Sequence, residues 1–259
     1  GLICLYYAAE KRGGIWPFIG LGLAVGVGTL AKYMMLALGL PAVVYGLLLI
    51  RQGYSMRRYF VGIALSFVLG AGIGLIPILA WNAQTDWAGI KHLTHLGGLA
   101  GKKAQTFIRF DRFPEFLGSQ IGILTPWWFV FLMIGGVGAI LAAKRKQDEF
   151  IGLAPAQYLL LVAGFWPIWG YFFLWSFHTQ VYPNWPAMSM VAGLMLAALA
   201  FERHVATAKG FWRRMRFVWP AIGAVILLGL FCQNWLPLPD DINKNPILRL
   251  KGWQDMGEK

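Results

Sequence analysis

The residues of this chain whose chemistry could serve a ligand are few, and they stand at the ends of apolar runs. The densest group is the segment 177–187, Phe-His-Thr-Gln-Val-Tyr-Pro-Asn-Trp-Pro-Ala. His178, Gln180, Tyr182, Asn184 and Trp185 offer hydrogen-bonding groups beside an aromatic face, a common way to hold a sugar. The same residues would also make a plain interfacial turn with satisfied polar groups, and composition does not separate the two. Pro183 and Pro186 stop a helix from running through the segment. Lys32 is the one charge in the apolar stretch 15–50. A charge at membrane depth is expensive and points to function, with an anionic phosphate as its natural partner. A lysine reaching headgroups from a helix end is the alternative.

Other constellations carry less. His92 and His95 share a helix face at i, i+3, and Asp86, Asp111 and Glu115 are the nearby carboxylates, but no zinc spacing is matched. A solvated amphipathic helix explains that pair more simply. Lys91, Lys102, Lys103, Arg109 and Arg112 in the same region could face an anionic ligand or headgroups, or form an ordinary surface. Gly20, Gly22, Gly26 and Gly28 lack the dinucleotide spacing and a preceding strand, so they predict close helix packing instead. No carboxylate pair is placed for acid–base work, and a nucleophile elbow or Walker loop is absent.

The elements that would position these groups follow from composition. Of 259 residues, 58% are hydrophobic and 13% charged, with mean hydropathy +0.58. A soluble domain is nearer half apolar and a quarter charged. The net charge of +12 would suit nucleic acid, but the basic residues cluster between apolar runs and read as membrane orientation signals. Cys4 and Cys232 make no metal or redox spacing.

We read an all-α polytopic bundle with about seven complete passes and one partial pass. Residues 1–9 are the partial one. The stretch 15–50 is too long for one crossing and predicts two, turning at Lys32-Tyr33. Further passes are expected at 60–81, 120–143, 157–177, 186–201 and 217–236, with a loop at 82–119 that has room for short helices. Residues 1–236 form the membrane domain, and 237–259 begin an external segment. Lys11-Arg12, Arg51 with Arg57 and Arg58, Lys144-Arg145-Lys146, and Arg203 through Arg216 mark the cytoplasmic side. Lys32, the 82–119 loop, the 177–187 turn and the tail then share the external face. Trp81, Trp87, Trp127, Trp128, Trp175, Trp185 and Trp235 fall near that face, as an aromatic belt would.

Five segments in order carry a resemblance: GLGLAVGVGTLAKYMMLALGLPAVV, PILAWNAQTDW followed by KH, GSQIGILTPWWF, FHTQVYPNWPA, and LPLPDDINKNPILRLKGW. Together they resemble the bacterial family-39-like membrane glycosyltransferases, relatives of the protein O-mannosyltransferases and aminoarabinose lipid A transferases, with the fold called GT-C. The resemblance implies transfer of a sugar from a polyprenyl-phosphate donor to a lipid, glycan or protein acceptor on the external face of a bacterial inner membrane. It implies an inverting displacement with a catalytic Asp in the first external loop, expected ahead of residue 1. Lys32 and Tyr33 match the KY element; Asn82, Trp87 and His92 match the next; Gln120 and Pro126 the third; His178, Asn184 and Trp185 the fourth. These are the expected substrate-binding residues. No cofactor is required by the resemblance, a divalent metal stays open, and no nucleic acid partner is implied. The reading from another class is a transporter or flippase of a lipid-linked substrate; against it, the polar groups gather at one face and no segment repeats.

Overall fold

The computed structural model describes residues 1–96, 110–206 and 208–232. Lys102, Lys103, Arg109, Trp235 and the expected 237–259 segment lie outside them. Two compact units divide the chain, Gly1–His204 and Val205–Lys259. The first holds α1 (Leu2–Ala9), α2 (Trp16–Ala31), a 3-10 turn (Tyr33–Leu38) leading into α3 (Gly39–Arg51), α4 (Arg57–Gln84), α5 (Ala88–Leu96), α6 (Phe113–Leu124), α7 (Pro126–Lys144), α8 (Pro155–Trp175) and most of α9 (Ala187–Ala206). The second contains α10 (Phe211–Cys232). The described residues contain no strand.

The protein is an all-α, multi-pass membrane protein. Among the described residues five helical spans are long and apolar enough to cross a bilayer: Tyr33–Arg51, Arg57–Gln84, Pro126–Lys144, Pro155–Trp175 and Ala187–Val205. At 16 residues, α2 is shorter, about 24 Å against a hydrocarbon core of about 30 Å. Short helices α5 and α6 occupy the described ends of the long connection. The pass expected from residue 120 begins later. Thr125 takes a left-handed φ of 66°, which ends α6, and Pro126 starts α7 in the first-turn position where its missing N–H costs nothing. The 19 residues of α7 still suffice for one crossing.

Glycine sets the first packing layer. The most extensive helix pairing is α2 on α4, and its contacts advance in step. A Cβ on Gly22 would lie 2.9 Å from the Ser66 carbonyl, one on Gly70 would lie 3.1 Å from the Gly22 carbonyl, and one on Gly74 would lie 2.7 Å from the Gly26 carbonyl. Residue number rises together on the two helices, so they run parallel, as two crossings separated by a third must. Without side chains between them the backbones touch directly, which gives full van der Waals contact where lipid offers no hydrophobic drive.

Between α2 and α4 in sequence, α3 runs the other way: Gly39 meets Phe67 while Gly46 meets Tyr59 and Phe60. Two buried tyrosines fix it. Tyr59 Oη donates to the Ala42 carbonyl at 2.9 Å, and Tyr45 Oη donates to the Ala156 carbonyl at 2.9 Å. The rings meet edge to face at 6.0 Å. Each phenol buries a large ring and still satisfies its hydroxyl, a net gain of about 1 kcal/mol per hydrogen bond beyond the packing. These contacts bind α3 to α4 on one side and to α8 on the other. On the far side of α8, Trp166 Nε1 donates to the Gly136 carbonyl of α7 at 3.0 Å.

Candidate functional site

The chain reverses at Lys32. Its N–H still bonds the Gly28 carbonyl at 2.8 Å, closing α2, and its own carbonyl accepts the Met35 N–H at 3.0 Å, opening the 3-10 turn. Between the two helical segments Lys32 alone is extended, at φ −159° and ψ 123°. Its side chain is exposed and stands at the mouth of a cleft of about 630 Å³. Tyr33 and Met34 form one wall, Leu93 of α5 reaches in from another, and Tyr171, Phe172 and Trp175 at the end of α8 form a third with Trp185.

The cleft is apolar and aromatic over nearly all of its lining, and Lys32 is the one charged residue among those that line it. Tyr171 stacks on Trp175 with ring centres 5.6 Å apart and planes within 17°. His178 meets the Trp175 ring at 5.0 Å, edge to face, and Trp185 packs on Phe172 at 5.9 Å. A fixed aromatic wall beside a cation, in a low-dielectric surround, suits a ligand with an apolar body, a polar ring and an anionic group.

Of the residues expected at the site, Lys32, Tyr33 and Trp185 line this cleft directly. Asn82 stands one layer behind. It is fully buried, and its side chain joins two helices: Nδ2 donates to the Ile78 carbonyl at 2.9 Å and Oδ1 accepts the Ile90 N–H at 3.2 Å. Gly89 lets α5 come close there, since a Cβ would lie 3.0 Å from Asn82 Oδ1 and 3.3 Å from the Tyr33 hydroxyl. Gln120 is also buried and donates through Nε2 to the Pro183 carbonyl at 3.2 Å. His178 supports Trp175, and Asn184 is exposed next to Trp185.

Trp87 is exposed in the α4–α5 turn, where it and Asp86 take φ of 60° and 52°, with its N–H on the Asn82 carbonyl at 2.8 Å. His92 and His95 are exposed on α5. Among the described residues no cluster of three His, Cys, Asp or Glu forms. Lys91 pairs with Asp86 at 2.6 Å, and Arg112 pairs with Glu115 at 3.3 Å. Gln180 also bonds Glu115, at 2.7 Å, so α6 is tied to the 177–187 turn twice, through Gln120 and Glu115. Phe113 completes the dock by stacking on Phe177 at 4.8 Å.

Sequence reasoning missed Tyr171 and the wall role of Trp175. The signal was an i, i+4 aromatic pair at the end of a pass, a spacing that places both rings on one face.

This cleft lies at one end of the first helical unit of a multi-pass membrane protein. In sequence the chain is similar to the lipid A galacturonosyltransferase RgtD of Rhizobium johnstonii, 25% identical over 199 residues. The match covers 74% of this chain and 37% of that protein, so the chain spans well under half the length of its relative. It relates the chain to a glycosyltransferase. No family model matches, and no solved structure matches.

Proposed function

We propose that this chain forms part of a membrane glycosyltransferase that passes a sugar from a polyprenyl-phosphate donor to a lipid, glycan or protein acceptor on the membrane face opposite the basic loops. The cleft is the observation that carries this reading. A polyprenyl-phosphate sugar has the same division of chemistry: a hydrocarbon tail, one phosphate and one ring. Lys32 is the residue for the phosphate, and Tyr171, Trp175 and Trp185 offer faces for the ring or the first isoprene units. Similarity to a lipid A galacturonosyltransferase supports sugar transfer as the reaction.

In that reaction an acceptor hydroxyl attacks the anomeric carbon. The bond from that carbon to the phosphate oxygen breaks, and its electron pair leaves with the lipid phosphate. The ammonium of Lys32 stabilises the charge that grows on the phosphate. The hydroxyl proton goes to a base. No acid lines the cleft among the described residues, and the resemblance assigns the base to an Asp ahead of residue 1.

The test uses the full-length protein in liposomes with a radiolabelled polyprenyl-phosphate sugar. Losing a preorganised cation should cut transfer by about a hundredfold in Lys32→Ala, with Lys32→Arg retaining part of it. Near-normal turnover in Lys32→Ala would remove Lys32 from the site. Movement of the carrier across the bilayer with no sugar transferred would replace the enzyme by a transporter.

A further inference from the structure

A second cleft lies at the opposite end of the first unit, and nothing in the sugar-transfer reading uses it. It has a volume of about 460 Å³ and sits where α3, α7 and the start of α8 meet. Its lower part is hydrocarbon, with Leu48, Ile140 and Leu159 among the lining. Its rim carries three cations from two separate loops: Arg51 at the end of α3, and Lys144 and Lys146 at the end of α7. No carboxylate lines it. All three cations are exposed, and none has a salt bridge among the described residues.

The two loops are held at this spacing by the fold. Gln52 Nε2 donates to the Ala143 carbonyl at 3.2 Å, crossing from α3 to α7. Helix α7 closes with paired C-terminal bonds, Lys146 N–H to Ala143 and Gln147 N–H to Ala142. That closure puts Lys146 at a left-handed φ of 52°, a position that normally takes glycine. A lysine there places its charge over the cleft at a conformational cost. Helix dipoles do not account for the cluster: the C-termini of α3 and α7 together present about one negative charge, partly offset by the N-terminus of α8, against three cations.

We propose that this cleft is a binding site for an anionic phospholipid, with the headgroup phosphate among Arg51, Lys144 and Lys146 and an acyl chain along Leu48, Ile140 and Leu159. Charge complementarity selects the headgroup and the apolar lower part selects a lipid over a soluble anion. Basic residues placed only to orient the chain need not converge from two loops onto one hydrocarbon-lined cleft.

Native mass spectrometry of the full-length protein tests this, with phosphatidylglycerol and phosphatidylcholine added in equal amounts, and inorganic phosphate in a separate arm. The wild type should retain phosphatidylglycerol at least about tenfold over phosphatidylcholine. Lys144→Gln/Lys146→Gln should erase that preference, and Lys144→Arg/Lys146→Arg should keep it. Ile140→Trp fills the groove with every cation left in place, and it should lose the lipid equally. Equal retention of the two lipids, a preference that survives both the glutamine pair and Ile140→Trp, or displacement of the lipid by inorganic phosphate at millimolar concentration would each overturn the proposal.

Discussion

Gln120 Nε2 donates to the Pro183 carbonyl at 3.2 Å, across 63 residues of sequence. Through this bond α6 holds the polar turn that carries Trp185 to the cleft. The donor is buried, and Pro183, lacking an N–H, offers only its carbonyl to a backbone-directed partner.

Gln120→Ala should therefore lower stability by about 0.5–1.5 kcal/mol, the net worth of one hydrogen bond whose acceptor can still reach water. Thermal unfolding of the full-length protein in detergent would read this as a lower Tm. Donor KM should rise with it, because Trp185 would lose its support. An unchanged Tm would mean that water replaces the amide.

Asn82 makes a sharper prediction about a single amide. Asn82→Asp keeps an oxygen for the Ile90 N–H, whereas Asn82→Leu keeps none. Hydrogen exchange should show Ile90 protected in the first variant and exposed in the second. Equal protection in both would show that α5 is held by its apolar contacts alone.

The α2–α4 seam predicts opposite results from two glycines two residues apart. A Cβ on Gly74 would lie 2.7 Å from a backbone carbonyl, while one on Gly72 would meet nothing within 4 Å. Gly74→Ala should destabilise by about 1–3 kcal/mol through overpacking. Gly72→Ala should be neutral or stabilise by up to about 1 kcal/mol through helix propensity. Matching Tm values for the two would remove the close seam.

Trp175→Ala should raise the donor KM by about tenfold, the equivalent of about 1.4 kcal/mol, as a ligand-facing aromatic wall is lost. Turnover at saturating donor should fall less. A variant with unchanged KM would make Trp175 a packing residue for Tyr171 and His178 only.

Much of this was legible in the sequence because it depended on local chemistry. The reversal at Lys32 follows from the length of the 15–50 run, and the 177–187 turn follows from its two prolines. The glycine seam follows from spacing. Other features depended on which way a helix faces, and α8 is apolar all round, so no polar stripe marked Tyr171 and Trp175 as the wall of a cleft. Thr125-Pro126 did carry a break signal, but it sat inside an apolar run that read as one crossing. Asn82 and Gln120 have side chains suited to a sugar. Only the fold reveals that backbone groups at Ile78, Ile90 and Pro183 already engage them.

Lys32 is the only residue between the last turn of α2 and the start of the 3-10 helix. On one side α2 is locked to α4 by glycine contact, and on the other α3 is locked to α8 by Tyr45. The connection therefore has no slack. Adding one residue to this extended connection would displace the start of the 3-10 turn by up to about 3.3 Å, pulling the contacts of Tyr45 out of register. Substitution at this position can retune the charge at the cleft mouth, but a change in chain length would dismantle both helix pairings at once.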